Sequence, residues 1–152
     1  MADIIHRVGI KAPLQKCYEA LSTTEGISGW WTEQTSGKSE TGKSIVVQFF
    51  SPEGKELGSM TMTVKALEPG KKVHWTFTAG PEEWINTDVI FDLHEEDDYT
   101  IILFAHRNWR EEVEFMAHCS MKWGVFMLSL KEFVETGKGR PSPGDIKIDN
   151  WN

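Results

Sequence analysis

The stretch from Asn108 to Gly137 constrains the fold of this chain most, because it reads as one long amphipathic helix. Asn108 followed three residues later by Glu111 makes a capping-box pattern. Glu111, Glu112 and Glu114 set negative charge at the positive end of the helix dipole. Gly137 suits the left-handed residue that follows a helix, and Pro141 forbids continuation. Roughly 26 helical residues remain, about 39 Å of rise. On a helical wheel Met116, Ser120, Trp123, Met127, Leu130 and Val134 fall on one stripe, widened by Cys119, Phe126 and Phe133. Glu114, His118, Met121, Val125 and Glu132 fall opposite. A helix this long needs a wide apolar partner.

The rest of the chain supplies strands. Ile4, His6, Val8 and Ile10 alternate with Ile5, Arg7, Gly9 and Lys11, a period-two pattern. Ala12-Pro13 ends it and opens a short helix in which Leu14, Cys17, Tyr18 and Leu21 share a face. Thr23 or Thr24 caps a second short helix running to about Trp31. Residues 32–44 are polar and Gly-rich, a loop or edge hairpin. Strands follow at Ile45 to Phe50, Gly58 to Leu67, around Val73, Trp75 and Phe77, around Thr87, Val89, Phe91 and Leu93, and around Thr100, Ile102, Phe104 and His106. Short turns between consecutive strands make the sheet antiparallel. Helices gathered on one side of such a sheet give an α+β fold. The expected division is a single domain over 1–137 and a C-terminal tail over 138–152. Ile146, Ile148 and Trp151 of the tail could dock back on the body or on another subunit, and the tail is expected to be dispensable for the fold.

The 152 residues suit one domain. The net charge of −7 opposes phosphate-backbone and anionic-membrane binding, so no nucleic acid or membrane partner is expected. Cys17 and Cys119 fall inside expected helices and read as reduced core thiols. The N-terminus lacks the apolar core of a signal peptide, and no apolar run reaches membrane-spanning length, which together point to the cytoplasm.

Several short motifs carry chemistry elsewhere. Gly37-Lys38-Ser39-Glu40-Thr41-Gly42-Lys43-Ser44 matches a phosphate-binding loop literally. Such a loop must open a helix, and here the β-branched Ile45-Val46-Val47 follows, so the match is expected to be inert. His118 and Cys119 are adjacent on a helix and cannot converge on one ion; His118 is expected to pair with Glu114. No metal or cofactor is expected. His6 and His106 sit in apolar strand phases, as satisfied core histidines or as polar anchors in a cavity. No nucleophile stands beside either at readable spacing, so no catalytic residue is assigned and an enzyme is the less favoured class.

Ala12-Pro13, Gly29-Trp30-Trp31, Glu83-Trp84, Phe91-Asp92-Leu93 and Ser120-Met121-Lys122-Trp123-Gly124 together resemble one family. It is the group related to the C-terminal domain of the activator of a heat-shock chaperone's ATPase, within the START-like, birch-pollen-allergen (SRPBCC) superfamily. The resemblance spans roughly 3–137. It implies a helix-grip fold, with a curved antiparallel sheet wrapped around the long C-terminal helix, two short helices after the first strand, and often an apolar cavity between sheet and helix. Full-length activators of that kind carry a further N-terminal domain, which is not expected within these 152 residues.

On that fold, the cavity wall is expected to comprise Met62, Trp75, Val89, Phe91, Phe104, Met116, Ser120, Trp123 and Met127. His106 and Ser120 would be its polar anchors. Trp30, Trp31 and Trp84 would ring the mouth or pack as plain core. Three functions stay open: a binding protein for a small hydrophobic molecule; an interaction module for a chaperone, or for self-association, related to the stress-response activators; and an enzyme of the cyclase or hydratase kind.

Overall fold

Alternating strands and amphipathic helices assemble as the periodicities require. The computed structural model describes residues 1–152. Its elements are β1 (Ala2–Ile10), α1 (Leu14–Ser22), α2 (Thr24–Trp30), β2 (Gln34–Gly37), β3 (Ser44–Phe50), β4 (Glu56–Glu68), β5 (Lys72–Ala79), a 3₁₀ turn (Glu82–Trp84), β6 (Asp88–Glu96), β7 (Tyr99–Trp109) and α3 (Glu114–Thr136). The seven strands form one curved antiparallel sheet in the order β1-β7-β6-β5-β4-β3-β2. Consecutive strands pair through short turns, and β1 closes the far edge against β7, with Ile5 opposite Ala105. With α3 across the sheet, this is the α+β helix-grip architecture. No helix is long and apolar enough to cross a membrane.

The inward strand faces are those the alternation marks. Val73, Trp75 and Phe77 of β5, Val89 and Phe91 of β6, and Ile102, Phe104 and His106 of β7 are all buried. At the junction of the short helices, Thr23 ends α1 and its hydroxyl accepts the Gly26 N–H at 2.9 Å, which caps α2. Gly26 is required there, since a Cβ would meet the Glu19 carbonyl at 2.6 Å. The motif resembling a phosphate loop spans the β2–β3 hairpin, and Ser44 opens a strand, not a helix.

Three expectations about the helix are corrected. α3 begins at Glu114 after Val113, not at Asn108, and has no side-chain N-cap. Asn108 instead lies near the end of β7 with φ of 74°. There its N–H donates to Asp3 at 3.0 Å and its side-chain amide donates to Asp88 at 2.6 Å. These long-range bonds outweigh the local capping pattern. The C-terminal end is as read, with Gly137 at φ 89° and its N–H on the Phe133 carbonyl. The buried face is turned relative to the expected stripe. Lys122 and Ser129 are buried alongside Trp123, Phe126 and Leu130, while Met116 and Ser120 are only half-buried.

The burial of Lys122 and Ser129 comes from the segment after Gly137. The Ser142 N–H donates to the Trp31 carbonyl at 2.8 Å, and the Glu33 N–H donates to the Ser142 carbonyl at 3.2 Å. The Arg140 N–H donates to Ser129 Oγ, whose own proton goes to the Trp30 carbonyl, each at 2.8 Å. Gly139 lies so close to the body that a Cβ would meet the Gly29 carbonyl at 2.6 Å. Residues 138–152 are thus strapped along α3, and the expectation of a dispensable tail is revised: Ser142 is as buried as the core. His118 pairs with Asp149 of this strap at 2.8 Å, not with Glu114.

Candidate functional site

An open cleft of about 730 Å³ lies between one end of α3 and the β3–β4 hairpin. Helix α3 contributes Phe115, His118, Cys119, Lys122, Trp123 and Phe126. The sheet contributes Phe49 and residues 57–60, and the β5–β6 connection contributes Gly80, Pro81 and Trp84. Trp31 lines it from the core, and Trp151 and Asn152 from the strap.

The deep wall is an aromatic stack. Trp123 packs against Trp31 (5.1 Å between ring centres), Trp84 (5.9 Å, nearly parallel) and Phe104 (4.6 Å). Behind it, the Trp123 indole N–H donates to His106 Nδ1 at 3.1 Å. Nδ1 is therefore an acceptor, and the imidazole proton sits on Nε2, which donates to Thr87 Oγ1 at 2.8 Å. The Thr87 hydroxyl passes its own proton to the Trp84 carbonyl at 2.5 Å. Burial pushes the His106 pKa down to about 3, with the Asp88 charge opposing weakly. His106 is thus a neutral, fully partnered link that fixes Trp123 and the turn carrying Trp84.

Two polar groups at the wall are less settled. Trp84 Nε1 is buried without an acceptor in good geometry and leans on the Cys119 sulfur. Burial pushes the Cys119 thiol up to about 12, only partly offset by that indole N–H, so it is no nucleophile at neutral pH. Lys122 donates to Asp145 and, at 2.9 Å, to the Ile146 carbonyl, with its ammonium 5.2 Å from the Phe126 ring centre.

Of the residues read as cavity wall, the cleft exposes Trp84 and Trp123. Met62, Trp75, Val89, Phe91, Phe104 and Met127 pack solidly in the core. Trp30 is also core, its N–H held by the Ala20 carbonyl at 2.9 Å, and Trp31 is buried rather than set at a mouth. His106 and Ser120 do not share a cavity. Ser120 and the half-buried Met116 lie outside the cleft lining, and the Ser120 carbonyl accepts from His6 Nε2 at 3.0 Å across the β1–α3 contact. Six of the seven Trp, with Phe77, Phe91, Phe104 and Phe126, are buried in the interior expected to hold a cavity, and the free volume lies instead beside the first half of α3. Phe49, Leu57, Met60, Phe115, Lys122 and Trp151 were missed. Their signal was faint: Phe49 continues the inward phase of Ile45 and Val47, and Leu57 and Phe115 sit at element ends where periodicity is weakest.

Comparison with known proteins agrees with the fold. The solution structure of the Aha1 dimer from Colwellia psychrerythraea is 42% identical, covering 91% of this chain and 100% of that one, with a TM-score of 0.77. SSP2350 from Staphylococcus saprophyticus is 20% identical over 91% of this chain and 95% of its own, TM-score 0.72. CalU16 from Micromonospora echinospora is 18% identical over 93% and 69%, TM-score 0.69. The last two show the fold alone. No functionally curated protein matches. The model of the activator of Hsp90 ATPase homolog 1-like proteins matches residues 11–135. With that match over most of its length, the chain belongs to the activator of Hsp90 ATPase homolog 1-like family.

Proposed function

We propose that this protein binds a small hydrophobic molecule in the cleft at the end of α3. Fold and family make it a ligand-binding or interaction module. The observation that carries the finer reading is the cleft itself. At about 730 Å³ it has the size of small-molecule sites, and ten of its seventeen lining residues are hydrophobic. Two polar side chains, His118 and Lys122, interrupt that wall and are placed to orient a ligand. Titration with the neutral fluorophore N-phenyl-1-naphthylamine tests this. Saturable binding is expected, and Ser59→Trp, which fills the cleft from the exposed hairpin side, should weaken it at least about tenfold without lowering thermal stability. Absence of saturable binding, or indifference to Ser59→Trp, would refute the reading.

A protein-interaction role is the second reading, favoured by the outward face of α3. Met121 and Leu128 lie two turns apart there and are 62% and 63% exposed, with Gly124 between them leaving open space. A second copy, or a chaperone of the kind named in the family description, could cover this stripe. Sedimentation equilibrium of wild type and Met121→Glu/Leu128→Glu tests the self-association form. A wild-type monomer at all concentrations would remove it.

A further inference from the structure

Helix α3 presents two basic side chains to the cleft, His118 and Lys122, one turn apart. Each is met by a carboxylate of the C-terminal strap: Asp149 Oδ2 lies 2.8 Å from His118 Nδ1, and Asp145 is bonded to Lys122 Nζ. The acidic pair repeats the spacing of the basic pair. The inner couple is deeply withdrawn from water, with side-chain exposures of 10% for Lys122 and 3% for Asp145. In a chain of net charge −7, a mainly apolar cleft thus carries the basic side chains of His118 and Lys122.

As a plain staple for the strap, a buried ion pair is a poor choice. Desolvation offsets most of its Coulomb energy, and apolar residues of similar volume usually hold a contact as well or better. Lys122 is also not saturated. It has three N–H donors, of which two have partners, Asp145 and the Ile146 carbonyl. Asp145 follows Pro143 and Gly144 and is flanked by the exposed Ile146 and Lys147, so its carboxylate can turn to water without moving a core element.

Resting on the cleft-binding reading above, we propose that the cleft selects an amphipathic anion, an apolar chain or ring system ending in a carboxylate. Lys122 is its counter-charge, and Asp145 stands in this structure where the ligand's carboxylate goes. Binding then exchanges one Lys122–carboxylate pair for another, so the ammonium is never left unpaired in an apolar wall. The strap's carboxylate is displaced outward, and the apolar part of the ligand lies along Trp84, Trp123 and Phe126.

Calorimetric titration with dodecanoate and with dodecan-1-ol, which share the apolar chain and differ in the head group, tests the proposal. Wild type should bind dodecanoate at least about tenfold more tightly than the alcohol, the range of a charge-assisted pair. Asp145→Asn should strengthen dodecanoate binding and leave the alcohol unchanged. Lys122→Met/Asp145→Asn, which removes both charges so that neither is buried alone, should abolish the preference while retaining alcohol binding; its thermal unfolding checks that it folds. Equal or better binding of the alcohol by wild type, or equal effects of Asp145→Asn on both compounds, would overturn the proposal and leave the cleft reading intact. Binding of neither compound would refute both.

Discussion

Replacing Trp123 by Phe isolates the link between the long helix and the sheet. Two losses follow from the structure. The indole N–H that donates to His106 Nδ1 at 3.1 Å disappears, and that nitrogen lies where no solvent reaches. An orphaned buried acceptor costs about 1–3 kcal/mol. The phenyl ring also covers on the order of 40 Å² less apolar surface, about 1 kcal/mol at roughly 25 cal/mol per Å². The expected cost is about 2–4 kcal/mol, against roughly 3–5 for Trp123→Ala, where the contacts with Trp31, Trp84 and Phe104 go as well. Urea unfolding with an unchanged slope is the assay, and the ¹⁵N shift of His106 Nδ1 should report an unprotonated acceptor in wild type. A cost below about 1 kcal/mol for Trp123→Phe, or a protonated Nδ1, would refute the assigned network.

Other outcomes follow from the same geometry. The His106 pKa is lowered to about 3, so between pH 6.5 and about 3 the unfolded chain takes up a proton that the folded chain refuses. Stability from this group is complete above the unfolded value and falls with pH by up to about 1.4 kcal/mol per unit; His106→Gln should flatten that limb in urea titrations. Burial raises the pKa of both cysteines, so a thiol reagent at mildly alkaline pH should label neither until the protein is unfolded; rapid labelling of native Cys119 would contradict its burial. Truncation after Lys138 removes the Ser142 backbone bonds and uncovers Lys122 and Ser129, and should cost at least about 2 kcal/mol by thermal or urea unfolding.

Much of the fold was legible because it rests on local periodicity. The alternation through Val73, Trp75 and Phe77 marks a buried strand face whatever lies behind it. Gly137 ends a helix by its own conformational freedom. What was not legible depends on distant partners. Asn108 and Glu111 carry a sound capping pattern, but Asp3 and Asp88 draw Asn108 into the sheet. Lys122 follows Met121 on a helix flank that reads as partly polar, and only the strap, 23 residues later, makes it buried. The candidate site suffered most, because the wheel identifies residues that face inward and cannot say which of them meet free volume. Trp75 and Trp123 are equally buried and apolar in pattern, yet only Trp123 reaches the cleft.

The pairing of β1 with β7 also sets the order of events during synthesis. Ile5 has its strand partner at Ala105, about a hundred residues away, whereas β3 to β7 form a meander of neighbours. A nascent chain made at 5–20 residues per second holds β1 without its ladder for roughly 5–20 s. During that interval Ile4, Val8 and Ile10 have neither a partner strand nor α3 to cover them, and they are open to any apolar surface nearby. Joining the termini and reopening the chain at the Lys11–Leu14 connection would place this strand after α3 and the strap, so that Ile5 follows Ala105 at about half its present sequence separation. Such a permutant would shorten the long-range closure and have α3 made before β1, at the expense of carrying the linker over the strap.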